Sequence, residues 1–226
     1  MEEEYKVQVE RYVRFVEEKK AFRFRDLANY AVPGKIVLLG DSLTEEFPLR
    51  ELLPDFYVYN RGYSGDTSED LENRLSYSCY SYLPRAVFLQ IGTNDLAKGR
   101  TPEQTTERIR QVCSSLRRKF PKMSLYVLSL YPMNVSAEKF RRGVTFGMVN
   151  MRTNAQIRET NKRLKKMCEE KGYPYVDVFS SLTDESGELR EEFSSDGLHL
   201  TVKGYSAVAK ILYPYLKKEQ KIETEN

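Results

Sequence analysis

Histidine occurs once in the 226 residues, at position 199, within the run Asp196-Gly197-Leu198-His199. An imidazole is the side chain best suited to carrying a proton near neutral pH. A carboxylate three residues earlier can accept its other ring N–H, fix the tautomer and steady the imidazolium. Such a base needs a hydroxyl to activate, and Ser42 is the candidate: it follows an apolar run directly, in Gly40-Asp41-Ser42, and opens what reads as a short helix. That placement fixes the hydroxyl and aims backbone N–H groups at nearby negative charge. Gly62, in Asn60-Arg61-Gly62, and Asn94, in Gly92-Thr93-Asn94-Asp95, stand at the ends of the next two apolar runs. Taken singly, each motif has a plain structural reading as a turn, a helix cap or a packed histidine. The set in this order points to nucleophilic chemistry.

The elements that would position these groups are legible as five apolar runs, Lys35–Gly40, Phe56–Asn60, Ala86–Gly92, Ser124–Leu130 and Tyr173–Phe179. They are rich in β-branched and aromatic residues without strict alternation, as expected of strands covered on both faces of a parallel sheet. Between them lie helical signals. Thr101-Pro102-Glu103-Gln104 forms a capping box with Pro at the first helical position, and Ile109, Val112, Leu116 and Phe120 then recur at helical spacing. A second amphipathic stretch runs from Asn154 to about Lys171 and stops at Gly172; a third runs from Thr201 towards Tyr213, where Pro214 is expected to end it. Residues 3 to roughly 30 also read as helix, acidic first and basic later, as the helix dipole favours. Alternating strands and helices predict an α/β fold, a three-layer α/β/α sandwich. Ligands in such sheets bind beyond the carboxyl ends of the strands, where Ser42, Gly62 and Asn94 fall.

The blocks IVLLGDSLTEEF, NRGYSGDTSEDLENRL, VFLQIGTNDLAKG and SSDGLHLTVKGYSAVAKIL together resemble the SGNH hydrolases, also called the GDSL esterase/lipase family. The resemblance spans Lys35 to about Leu212 and is nearest in character to acetylhydrolase-like members. It implies a five-stranded parallel sheet of flavodoxin-like order 2-1-3-4-5. It also implies a Ser42–His199–Asp196 triad, with an oxyanion hole formed by the Ser42 and Gly62 backbone N–H groups and the Asn94 amide. Ester hydrolysis would then run through an acyl-enzyme with no metal or cofactor. The Gly-x-Ser-x-Gly elbow of ordinary α/β-hydrolases is absent from the sequence.

Lysine and arginine number 36 against 33 acidic residues, a net charge of +3 that is too small and too mixed to suggest a nucleic-acid partner. Three scattered cysteines fit neither a zinc site nor a disulfide framework and suggest reduced thiols in a cytoplasmic protein. The N-terminus has neither the basic start nor the apolar stretch of a signal peptide, and no run predicts a membrane span. The expected organisation is a helical extension over 1–34 packed on one hydrolase domain over 35–216, followed by a frayed tail at 217–226.

Substrate choice is expected in two places. Ser64 and Asp66, beyond the second strand, either reach the substrate or, with Thr67, cap the next helix. The long connection Tyr131–Thr153, with Arg141, Phe146 and Met148 as candidate contacts beside Phe140, Arg142 and Met151, reads as a lid, a pocket wall or the contact of a homo-oligomer. The expected substrate is a small-molecule ester with a short acyl group, such as acetyl on a carbohydrate. A lysophospholipase or thioesterase acting on longer chains is the first alternative, and a noncatalytic ligand-binding module on the same fold is the second. A nucleotide-binding protein is disfavoured, because no phosphate-cradling glycine motif follows a strand.

Overall fold

The structure is a computed structural model, and it describes residues 2–137 and 151–225. Its principal elements in chain order are α1 (Glu2–Ala28), β1 (Ile36–Gly40), α2 (Ser42–Glu45), β2 (Val58–Gly62), α3 (Ser68–Asn73), β3 (Ala86–Gln90), α4 (Thr93–Ala97), α5 (Pro102–Lys119), β4 (Ser124–Leu128), α6 (Asn154–Lys171), β5 (Tyr175–Val176) and α7 (Val202–Glu225). The strands form one parallel sheet in the order β2-β1-β3-β4-β5.

Both faces of the central strands are buried, which is why their sequences lack alternation. Val37, Leu39, Val87 and Leu89 enter one core with Ile109, Leu116 and Leu164 from α5 and α6. Ile36, Leu38 and Phe88 enter the other, with Leu212 and Leu216 from α7. Each such side chain contributes about 1.5–3 kcal/mol by leaving water. Helices α5 and α6 both begin on the predicted kind of capping box, Thr101 with Gln104 and Thr153 with Gln156. Helix α6 stops at Gly172, whose φ of 69° is a left-handed conformation that a side chain would strain.

Several strand boundaries differ from the sequence expectation: β3 and β4 end two residues early, at Gln90 and Leu128. The second strand is shifted to Val58–Gly62, and the fifth contracts to Tyr175–Val176. The larger difference is α7, which continues through Pro214 to Glu225. Proline removes one N–H from the helical ladder, but tertiary contacts on the far side outweigh that loss. Leu216 is fully buried, the Tyr126 hydroxyl donates to Glu219 Oε1 at 2.6 Å, and Gln220 Nε2 donates to the Asp55 carbonyl at 3.0 Å. The segment beginning at Lys217 is therefore helical as far as Glu225 instead of a frayed tail.

Candidate active site

Strand register determines which groups share the sheet edge. Gly40 is level with Gly62 on one side and with Gln90 on the other, so the chain leaves β1, β2 and β3 at one height. Each exit turns at once into a loop or short helix. Asp41 caps α2 by accepting the Leu43 N–H at 3.0 Å, which places Ser42 in the first turn. Backbone N–H groups there have no intrahelical partner.

His199 reaches this edge from the far end of the chain. Its Nε2 is 3.0 Å from Ser42 Oγ, and its Nδ1 is 2.7 Å from Asp196 Oδ2. The other Asp196 oxygen accepts the backbone N–H groups of Leu198 and His199 at 2.8 and 2.7 Å, so the carboxylate is held from its own loop. Gly197 takes φ 91° to make that turn and donates its N–H to Ser194 Oγ at 2.7 Å, while the Ser194 hydroxyl donates to the His199 carbonyl at 2.9 Å. Asn134 braces the loop from outside: its N–H donates to the Gly197 carbonyl at 2.8 Å and its amide to the Leu189 carbonyl at 2.8 Å.

This environment sets the protonation states. The hydrogen bond to Asp196 raises the His199 pKa above its ordinary 6.5, against the opposing effect of burial. Burial pushes the Asp196 carboxyl up, but its hydrogen bonds from the His199 side chain and from backbone N–H groups outweigh that and leave it below the usual value. Asp41 behaves differently. It is completely buried, its Oδ2 has no hydrogen-bond partner among the described residues, and burial raises its pKa to about 7 despite the Leu43 N–H and the Arg152 charge.

The expected oxyanion donors and substrate contacts fare unequally. The Asn94 amide, at the start of α4, donates to the Asp66 carbonyl at 2.9 Å and so lies against the loop that follows β2. The Gly62 N–H donates to Asn60 Oδ1 at 2.9 Å, and a Cβ at Gly62 would stand 2.1 Å from the Glu45 backbone nitrogen. Glycine is needed there for the close approach of α2. Gly65 has the opposite surroundings: it is exposed, with φ 82° and open space around it. Its N–H finds no acceptor among the described residues.

Ser64 spends both its N–H and its hydroxyl on Glu45 Oε2, at 2.7 and 2.5 Å, and the buried Asp66 carboxylate is paired with Arg74. Both side chains therefore brace the loop after β2, Ser64 against α2 and Asp66 against Arg74. Thr67 is the helix cap, closing a capping box with Asp70 at the start of α3. Asp95 is a brace: its carboxylate accepts the Ser68 N–H at 2.8 Å, the Ser68 hydroxyl at 2.6 Å and Arg100 Nη1 at 2.7 Å. Arg141, Phe146 and Met148, with Phe140 and Arg142, lie outside the described residues.

Sequence reasoning passed over Arg152 and Asn134. Arg152 is buried, donates from Nη1 to Thr93 Oγ1 at 2.8 Å and interacts electrostatically with Asp41, which puts its charge beneath the loops that carry Ser42 and Asn94. No local motif marks a buried arginine at the end of a long connection. Among the described residues no group of three or more His, Cys, Asp or Glu side chains could hold a metal ion, and no helix is long and apolar enough to cross a membrane.

A serine at the end of β1 hydrogen-bonded to a carboxylate-paired imidazole is an arrangement suited to acyl transfer. The family model of the GDSL-like lipase/acylhydrolases matches residues 38–207, three quarters of the chain and all of the strand ends described above. The chain belongs to this family.

Relatives within and around the family extend the comparison. A GDSL esterase/lipase of Arabidopsis thaliana is 27% identical over 198 residues, covering 77% of this chain and 81% of that protein. The thioesterase 1/protease 1/lysophospholipase L1 of Escherichia coli is 31% identical over 98 residues, 38% of this chain and 47% of its own. Among solved structures, a protein from Streptococcus pneumonia described provisionally as a platelet activating factor superposes with a TM-score of 0.84 at 30% identity, covering 94% of this chain and 98% of that one. The GDSL assignment and the sheet order 2-1-3-4-5 agree with the sequence expectation.

Proposed function

We propose that this GDSL-family protein is a serine esterase that hydrolyses carboxylic esters through an acyl-enzyme. Ser42 is the nucleophile, His199 the general base and Asp196 the group that orients and stabilises the imidazolium. As Ser42 Oγ attacks the carbonyl carbon, its proton passes to His199 Nε2. Collapse of the tetrahedral intermediate breaks the bond to the alcohol, which leaves with that proton. Water then repeats the sequence: its proton goes to Nε2, its oxygen attacks the acyl carbon, and Ser42 recovers the proton as the acid departs.

Negative charge on the carbonyl oxygen needs donors fixed in advance. The Ser42 N–H and the Asn94 amide fit that need. For the third donor the Gly65 N–H is the better candidate than Gly62, whose N–H is already bonded to Asn60. The observation that carries the whole reading is the 3.0 Å contact between Ser42 Oγ and His199 Nε2 in the presence of a paired Asp196. A noncatalytic binding module has no need of a hydroxyl aligned with a base.

A short acyl group, acetyl on a carbohydrate or other small molecule, is the proposed substrate class. Its support is the packing behind α2, where Leu43, Phe47, Tyr131 and Tyr205 are all buried and Phe47 stacks on Tyr205 at 5.1 Å. Longer acyl chains are the second reading, favoured by the partial match to the thioesterase/lysophospholipase of Escherichia coli. The three unpaired, buried cysteines support a cytoplasmic address. Turnover of p-nitrophenyl esters from acetate to palmitate, with acetylated sugars beside them and Ser42→Ala as control, separates the readings. Activity falling with chain length supports the first, rising activity supports the second, and none above the control supports a binding module.

A further inference from the structure

Helix α1 is 27 residues long, about 40 Å, and among its described side chains those that meet the domain lie along one side of its final turns. Phe24 is buried there, Ala28 packs against the core, and Lys20 pairs with Glu45. These residues recur every four positions and define one face. The opposite face is unusually apolar and uncovered: Tyr5, Tyr12, Phe15 and Phe22 are 70, 68, 58 and 68% exposed.

Their spacing is more regular than a solvated helix requires. Tyr5, Tyr12 and Lys19 fall seven residues apart, as do Gln8, Phe15 and Phe22, and the two series interleave as the a and d positions of three heptads. All six side chains are exposed. If a second copy of the helix is laid antiparallel, a positions meet d positions, and a single register satisfies every layer. Tyr5 faces Phe22, Tyr12 faces Phe15 and Gln8 faces Lys19, with each pair formed twice by symmetry. The same register brings Arg11 on one helix beside Glu18 on the other, both exposed and both flanking the seam.

We propose that α1 is a dimerisation element, forming a two-stranded antiparallel coiled coil with α1 of a second copy of this chain. The interface is isologous, so a sequence that complements itself under reversal is what a two-fold dimer requires. Four aromatics, each worth roughly 150–250 Å² and about two-thirds exposed, supply on the order of 400–650 Å² per copy before flanking stems are counted. That approaches the ~800 Å² per partner of a stable complex. The single polar layer, Gln8 against Lys19, fixes register at some cost in stability. A lipid surface is the less fitting occupant, because the seam is flanked by both signs of charge instead of the basic border that anionic headgroups favour.

The test is sedimentation of the full chain at micromolar concentration, with three variants. The wild type is expected at twice the 26.4 kDa chain mass, and Tyr12→Glu with Phe15→Glu at the monomer mass. Arg11→Glu should weaken dimerisation about 3- to 10-fold by setting like charges together, and adding Glu18→Arg to it should restore the wild-type constant. That rescue depends on antiparallel pairing and is independent of whether the aromatic variant stays folded. A monomeric wild type overturns the proposal, whether or not it binds anionic vesicles. So does a dimer that survives the aromatic substitutions or a charge swap that fails to rescue.

Discussion

Asn60 Oδ1 accepts the Gly62 N–H at 2.9 Å while the same side chain donates from Nδ2 to the Thr44 carbonyl at 2.7 Å. One amide therefore ties the end of β2 to the end of the helix that carries Ser42. It also removes Gly62 from the pool of free donors. Gly62 and Gly65 should consequently fail in different ways when given a side chain. Gly62→Ala forces a Cβ against the Glu45 backbone; thermal denaturation should show a lowered Tm, on the order of 2 kcal/mol or more of lost stability. Gly65→Ala meets no neighbour and keeps its N–H, but it bears the strain of φ 82°, about 1–2 kcal/mol; a backbone that relieves this strain turns the N–H out of line, so kcat should fall while the Tm drops less than in Gly62→Ala. A Gly65→Ala enzyme with wild-type kcat, beside a Gly62→Ala enzyme that is stable but slow, would return the donor role to Gly62.

The Asn94 amide donates to the Asp66 carbonyl at 2.9 Å, at the edge that carries Ser42. An amide nitrogen carries two N–H groups, and a hydrogen bond to a charged oxygen is stronger than one to a neutral carbonyl. Asn94→Ala is expected to lower kcat by about 10²–10³ with little change in KM. Steady-state kinetics on p-nitrophenyl acetate measure this, and an unaltered kcat excludes the amide from the oxyanion hole.

The Asp196 hydrogen bond raises the His199 pKa above 6.5. Only the neutral imidazole can take the Ser42 proton, so kcat/KM should rise with pH on a limb whose midpoint lies above that ordinary value. Asp196→Asn removes the cause of the shift: the midpoint should move down, and the plateau should fall roughly 10³–10⁴-fold as the tautomer is lost. A limb in the same place in both proteins would assign it to another group.

Much of this site was legible in the sequence because it depends on strand ends. The apolar runs, their order and the residues that follow them place Ser42 and Asn94 on one edge, and the capping box of α5 and the C-terminal glycine of α6 are plain in the sequence. The rest was decided by tertiary contacts. Gly62 ends β2 and Gly65 lies three residues on in the loop that follows, and the Asn60 side chain, the approach of α2 and the positive φ of Gly65 distinguish them. Pro214 is a helix breaker in isolation, but Leu216 and Glu219 hold α7 beyond it. Arg152 and Asn134 belong to no motif, and they act through partners 59 and 55 residues away.

Asp41 supplies a test of stability instead of rate. Its folded pKa is raised from 3.8 to about 7, so between those values the unfolded chain has lost a proton that the folded chain keeps. The folded state binds more protons across that window, and stability from this group is present below pH 4 and lost as pH rises towards 7. Asp41→Asn can still accept the Leu43 N–H and carries no charge. Its urea midpoint should decline less between pH 4 and 7 than that of the wild type, and parallel declines would show that Asp41 titrates normally.

The most direct measurement is of the covalent intermediate itself. Rapid acid quench of the protein with excess p-nitrophenyl acetate, followed by peptide mass spectrometry, should find one acetyl group on Ser42. The adduct should be missing from Ser42→Ala. An acetyl group on a different residue, or undiminished turnover by Ser42→Ala, would contradict the account.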